Sequence, residues 1–536
     1  MVSTFAAAVV AALGLAGTPV AQTAQPPTPS AFFVAGRGWG HGVGMAQYGA
    51  YGYALHGWSY DQIVGHYYPG TTLGQAAVKK VRVLLVPGSK RVVVSSSSPF
   101  TVLDGAGKSH KLPAGPQTFG PGLKLKVTSA QAAKAFPGPL VFSSGDNPLM
   151  LGKRGYRGTF RVTASGGTVR VVNTVGLESY LYGVVTSEMP DRWPAEALEA
   201  QAVVARTYAL SHVQKGGDFD LYPDTRSQVY GGIGAESPSA SDAVDQTAGK
   251  VVLYKGDLAE TFFFSSSGGR TANVQDVWPN SKPLPYLVSV PDPYDTLSPY
   301  HDWGPLRFTT TALQRRLHSP GRLLDLRADV SSSGRVRTLT VVGAKGDRTI
   351  AGDNVRRALG LRSTWFRIGL LSLTPPAQAA VFGTKTRLAG VARGMSKVTL
   401  ESRPYGGQQW KPVGPLISRK GVVGATLSPS VSTDYRLSTG TLRSGIVHLS
   451  VAPMVRIAFS ADRLAVTGTV KPLLPNAAVQ VQRLDAGVWT TIARTTTGAD
   501  GSFSANVQLT TGTYRARVLA GRGYAIGLSK VLEVTS

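Results

Sequence analysis

Residues 36–44 read "GRGWGHGVG", with glycine at every second position and His41 set among them. In an extended strand alternate residues share a face, so this run predicts a strand with one face stripped of side chains. Glycine weakens a strand and marks a place where a ligand or another backbone comes close. The run is not a phosphate loop: no G-x-G-x-x-G register fits residues 36–44, and no G-K-[ST] follows.

A chain of 536 residues exceeds a single core, and its 42% apolar content is enough for several. It contains no cysteine, which excludes disulfide frameworks, thiolate metal sites and cysteine nucleophiles. Residues 5–16 form a short apolar run followed by "TPVAQTAQPPTPS", so residues 1–24 are expected to be a signal peptide, although no Lys or Arg precedes the run. The expected location is therefore secreted or associated with the cell wall. The net charge is +26, and from Pro375 onward 19 Lys and Arg stand against six Asp and Glu. Such an excess draws polyanions, for an exported protein the anionic polymers of the wall, unless it serves only solubility. Nucleic acid is not expected, because no basic helix, zinc finger or aromatic RNA-binding motif is present.

The expected fold class is α+β: a strand-rich catalytic domain over residues 25–370, a linker over 371–380, and two small all-β, Ig-like sandwich modules over 381–452 and 453–536. Within the first domain, "SYDQIVGHYY" reads as a helix, with Ser59 and Gln62 at capping-box spacing. "VRVLLV", "RVVVSS", "LKLKVTS" and "GTVRVVNTV" read as strands. The longest helix signal opens at Pro194, carries a small-residue stripe (Ala202, Ala205, Ala209) suited to close packing on a sheet, and is expected to stop at Gly216-Gly217. The two C-terminal modules read as diverged copies. Trp410 and Tyr435 are separated by the same interval as Trp489 and Tyr514, and all four are expected to be core residues rather than sugar platforms.

The chemistry concentrates in "VNTVGLESYLYGVVTSEMPDRWPAEALEAQAVVARTYAL", residues 172–210. "DTRSQVYGG", "TFFFSSSGGRTANVQDVWP", "PYLVSV" and "GDNVRRALGLRSTWF" follow it. With the glycine block these stretches resemble the stage II sporulation protein D (SpoIID)/LytB family over about 340 residues. In that family's usual order the "GRGxGHGVGMSQ" block follows "GLRSTWF". Here residues 31–74 come first, with Ala46 in place of the usual serine, as in a circular permutation. The expectation is that "AFFVAGRGWGHG" lies beside "GLRSTWFRIGL".

The resemblance implies lytic cleavage of peptidoglycan glycan strands with Glu188 of "SEMP" as the acid. An ordinary glycosidase needs two carboxyl groups. A lytic transglycosylase needs one, because the C6 hydroxyl of muramic acid is an internal nucleophile. Glu188 precedes the Pro194 helix, where a dipole would favour the ionised form, so apolar burial has to raise its pKa. His41 and Gln47 are candidates to bond the glycan or orient Glu188; alternatively the glycines serve internal packing and His41 satisfies buried carbonyls. Gln201, Arg206, Tyr230, Ser265, Ser267 and Asn273 are candidate substrate contacts, with a structural role open for each. Glu178 reads as a structural hydrogen-bonding group. No cofactor and no metal is expected, since His41, His56 and His66 lack paired-ligand spacing. The other reading is a non-catalytic amidase enhancer that binds glycan and stimulates a cell-wall amidase.

Overall fold

The computed structural model describes residues 30–76, 80–128, 132–214, 216–395, 397–521 and 523–535. The expected signal peptide lies outside them. The described residues divide into two units, Phe33–Ile368, and 369–535 together with 30–32. With 44% strand and 16% helix it is a strand-rich α+β protein.

In the first unit, an antiparallel sheet runs through strands Lys80–Ser89, Thr168–Gly176, Thr159–Ser165, Leu140–Ser143, Phe100–Leu103 and Ser109–Leu112. Alternate residues such as Phe100, Val102, Leu140, Phe142, Phe160 and Val162 face inward and are fully buried, as period-2 patterning requires. Five helices build the rest of the site's framework: α1 (Gln47–Leu55), α2 (Tyr60–Tyr67), α3 (Leu177–Glu188), α4 (Ala195–Ser211) and α5 (Pro238–Gln246). The Ser59 N–H donates to Gln62 Oε1 at 3.1 Å, the reciprocal half of the capping box read from sequence. Helix α4 stops at Ser211, ahead of the Gly216-Gly217 pair. The alanines of its stripe are buried, but the helix lies against α1, α2, α3 and α5 as well as strand Lys250–Tyr254, so helices rather than a sheet alone surround it. Small side chains allow all of these neighbours to approach.

The glycine run is not a bare strand. Regular strand ends at Arg37, and beyond it Gly38, Gly40, Gly42 and Gly44 all take positive φ, from 70° to 114°. This zigzag lies against segment 262–267. The Trp39 N–H donates to Ser266 O (2.8 Å) and the Ser266 N–H to Trp39 O (3.0 Å), and Met45-Ala46 pairs in parallel with Phe263-Phe264. At Gly42 a Cβ would enter the guanidinium of buried Arg335, and at Gly44 it would enter Phe262 O. What approaches the glycines is the protein itself: backbone at Gly38 and Gly44, and the side chains of Phe264 and Arg335 at Gly40 and Gly42. The run also lies beside "GLRSTWF", as a permuted order requires: the Arg37 N–H donates to Trp365 O (2.9 Å) and the Gly40 N–H to Arg362 O (3.0 Å).

In the second unit, the first three residues of the expected linker are strand, since residues 370–373 pair with Gly390–Arg393. The repeat is real at the level of topology. Strands Val398–Pro404, Lys411–Leu416 and Thr433–Thr439 have the same order and pairing as Ala478–Asp485, Val488–Thr496 and Gly512–Leu519. Tyr435 and Tyr514 are core residues, as expected. Trp410 and Trp489 are not, being only half-buried beneath arginine side chains.

Gly44→Ala should lower stability by about 3 kcal/mol, because it combines a left-handed φ of 77° with overlap on a carbonyl. Denaturant melts of the full chain measure it. A loss under 1 kcal/mol would show that the close approach is not required.

Candidate active site

Glu188 is the last residue of α3, so it sits at a helix C-terminus and not, as the sequence suggests, under the influence of the following helix's N-terminus. The partial negative charge at a helix C-terminus disfavours a carboxylate. The Glu188 carboxyl is half-buried, and its pKa is raised above the ordinary glutamate range, chiefly by desolvation. Two hydrogen bonds oppose the shift: the Val229 N–H to Oε1 (2.9 Å) and Gln47 Nε2 to Oε2 (3.3 Å). Three stretches that are distant in sequence therefore meet at one carboxyl group: the first residue of α1, the end of α3 and the 224–232 loop.

Neighbouring side chains make the surroundings apolar and rigid. Met189 and Trp193 are buried, and Trp193 stacks on Tyr51 at 4.6 Å and meets Tyr48 edge-on at 5.0 Å. Behind them buried Tyr180 donates to Gln228 Oε1 (3.1 Å), and Gln228 Nε2 donates to Ala205 O (3.2 Å), which anchors the 224–232 loop on α4.

Of the residues singled out from sequence, Gln47 alone bonds to Glu188. Ser265 borders the same turn, its carbonyl accepting the Tyr48 N–H (3.0 Å). His41 does not reach Glu188 through any hydrogen bond. Its Nε2–H donates to Phe263 O (3.0 Å) and its Nδ1 accepts from the Val43 N–H (3.1 Å). Burial first, and then the Arg335 charge, depress the His41 pKa to about 4, so the ring is neutral and serves the packing of the glycine run.

Arg206 is also interior. It bonds both Glu178 oxygens (2.7 Å at the shortest) and the carbonyls of Val244 and Lys250. The Tyr230 hydroxyl donates to Asn173 Oδ1 (3.2 Å), and Gln201 is wholly buried with neither amide atom hydrogen-bonded. Ser267 Oγ accepts the Gly269 N–H (2.9 Å), and Asn273 bonds Asp276 and the Ser289 N–H. Arg206, Tyr230, Ser267 and Asn273 each complete a turn or helix contact that the fold would otherwise leave unpaired, whereas Gln201 is buried without a hydrogen-bond partner. His56 and His66 are engaged separately, on Gly52 O (2.7 Å) and Pro291 O (2.8 Å).

Sequence reading missed the Val229 amide, which has no side-chain signature, and a buried acid pair behind α1. Asp295 accepts from Ser266 Oγ and from the Ser267 and Gly268 amides at 2.8–2.9 Å. The Asp292 carboxyl lies against Gly49 and the Tyr67 hydroxyl, and neither of its oxygens has a hydrogen bond of ordinary geometry. Burial and then the Asp295 charge push Asp292 up to about 7, against the opposing pull of the Ser267 and Tyr67 hydroxyls.

Residues 165–254 match the family described as stage II sporulation protein, SpoIID, and this segment contains Glu188. This segment is similar to the SpoIID family. Stage II sporulation protein D of Bacillus subtilis is 33% identical over 217 residues, 36% of this chain and 61% of that one. The amidase enhancer of the same organism is 44% identical over 116 residues, 22% of this chain and 15% of that one. An uncharacterized protein of Brachyspira hyodysenteriae is 37% identical over 171 residues, 31% of this chain and 45% of that one. The chain thus spans about half the length of the first of the curated relatives that it matches. A two-module fibronectin type III segment of chicken tenascin overlaps 31% of the chain and 97% of its own length, at 12% identity and a TM-score of 0.20, too low to bear on the fold. The SpoIID match begins at residue 165, so the Gln47 that bonds Glu188 is supplied from outside it.

The acid behind α1 gives a pH test. The folded chain holds the Asp292 proton up to about pH 7, whereas the unfolded chain releases it near 4. Stability from this group is therefore intact below about pH 4, falls as pH rises to about 7, and then levels. Asp292→Asn should raise the melting temperature by several degrees at pH 8 and leave it nearly unchanged at pH 4. Equal shifts at both values would place the Asp292 pKa in the ordinary range.

Proposed function

We propose that this chain is an exported, wall-associated peptidoglycan lytic transglycosylase in which Glu188 is both acid and base. The observation that carries the reading is a single carboxyl group with a raised pKa, fixed between the Gln47 amide and the Val229 N–H. A raised pKa keeps the proton available near neutrality, as a general acid needs. The Glu188 carboxyl protonates the glycosidic oxygen as the C1–O bond of the muramic acid residue breaks. The C6 hydroxyl then attacks C1, its proton passes to the carboxylate, and the 1,6-anhydro ring closes without consuming water. The two hydrogen bonds hold the carboxylate between these transfers. The C-terminal repeats, which we take as Ig-like modules, would hold the enzyme on the wall.

A second reading is favoured by the 44% identity with an amidase enhancer: the domain binds glycan and stimulates a separate cell-wall amidase. Glu188→Gln separates the two, since the amide keeps the shape but has no proton to transfer. On purified glycan strands, the variant should lose 1,6-anhydro ends by at least a thousandfold while binding strands as wild type does. Retained product within threefold would remove Glu188 from the mechanism, and no product from wild type together with stimulation of an amidase by both forms would establish the enhancer.

Gln47→Leu removes a bond that favours the carboxylate. The Glu188 pKa should rise further, so the alkaline limb of the pH–rate profile should move to higher pH. A limb moved to lower pH would contradict the assigned bond.

A further inference from the structure

The two C-terminal repeats place one arrangement at equivalent positions and differ in its charge. In the first, Arg436 lies directly across from Glu401 and stacks over Trp410 at 4.1 Å. In the second, Arg515 lies across from Gln482 and stacks over Trp489 at 4.0 Å. The central strand holds each arginine by its Nε–H, through Glu401 Oε2 at 2.6 Å in one case and Gln482 Oε1 at 2.8 Å in the other. Both arginines are therefore oriented, but only the first is neutralised.

Adjacent positions widen the difference. In the first repeat Glu401 also pairs with Arg443 (3.5 Å), and Arg403 pairs with Asp434 (2.9 Å). In the second, the register puts Arg517 across from Gln480 and Arg494 across from Gln480 on its other side. The first repeat has Ser438 and Pro415 at those two places, both opposite Thr399. Arg517 Nη1 donates to Gln480 Oε1 (2.8 Å). Among the described residues, no carboxylate pairs with Arg494, Arg515 or Arg517. Directly opposite residues share a face, and the alternating Tyr514, Ala516 and Val518 are buried in the core. The three arginines, Trp489 and Leu484 thus share the outer face of one sheet.

We propose that this outer face binds an anionic polysaccharide. The proposal rests on the wall-associated reading for its choice of polymer and on charge complementarity for the site. One strand holds Arg515 and Arg517 two residues apart, each bonded by a neutral amide so that its charge and remaining N–H groups are available to a phosphate or carboxylate, and Arg494 stands on the neighbouring strand across from Gln480. The half-buried Trp489 beside them offers a flat apolar surface to a sugar ring. Glu533, across from Thr513 at the border of the face, forms no ion pair with the three arginines.

The test uses the full chain carrying Glu188→Gln, so that binding is read apart from cleavage, with fluorescently labelled polygalacturonate, phosphorylated dextran, neutral dextran and a single-stranded DNA of equal charge. Either anionic polysaccharide should bind in 0.1 M salt, the pair distinguishing carboxylate from phosphate preference, and neutral dextran should not. Gln482→Glu installs the carboxylate of the first repeat without touching an arginine, and should weaken binding at least tenfold at unchanged melting temperature. Glu401→Gln should strengthen binding, and Arg436→Gln should change it less than twofold. Trp489→Ala should weaken polysaccharide binding several-fold and leave its salt dependence alone. The proposal is overturned if Gln482→Glu binds as the parent does, or if DNA binds as tightly as the polysaccharides. Loss of binding by Gln482→Glu with glycan cleavage intact in the Glu188 form would support the face independently of the catalytic assignment.

Discussion

The contact between the glycine run and segment 262–267 is the constraint on which the first unit depends. Trp39 and Ser266 exchange both backbone hydrogen bonds, and the Met45 N–H donates to Phe262 O at 3.1 Å. Immediately after this contact the chain turns into α1, whose first residue is Gln47. A side chain at Gly44 would push the two backbones apart, and one at Gly42 would displace the buried Arg335 guanidinium. Because Gln47 follows Gly44 by only three residues, any such displacement moves the donor that reaches Glu188. Packing at a site with no chemistry of its own therefore sets the geometry of the carboxyl group.

Buried charge is arranged around this contact rather than avoided. Arg335 is fully buried against Gly42, bonded to Ser267 O at 3.2 Å, and desolvation lowers its pKa to about 10. Its charge is one reason that the His41 ring is neutral. Asp295 receives three donors from the 266–268 turn, so the same turn carries both the glycine contact and an acid. Removing one partner of such a set leaves an uncompensated charge inside, which costs more than the pair contributes. Arg206 and Glu178 do the same for α3 and α4, fixing the helix that ends in Glu188.

In the second unit, one backbone arrangement carries two electrostatic states. Strand order and the stacked Arg–Trp pair are common to both repeats, whereas Glu401 in one and Gln482 in the other decide whether a carboxylate offsets the arginine's charge. A sheet's outer face tolerates such exchange because its side chains do not pack in the core.

The sequence by itself determined the period-2 strands, the Ser59 cap, the repeat, and the motifs that name Glu188, since each is written in local spacing. It also required that the glycine run lie beside "GLRSTWF". Which residues face the site was decided only by tertiary structure. Arg206, Tyr230, Ser267 and Asn273 stand within chemically suggestive motifs, yet their partners, such as Glu178 for Arg206, lie elsewhere in the chain. The placement of Glu188 at the end of α3, the Val229 amide that bonds it and the raised Asp292 all depend on desolvation and on contacts between distant segments. Local pattern fixes periodicity and covalent order. Burial and the pairing of remote groups are properties of the packed chain, and they set both the pKa of an acid and the availability of a side chain.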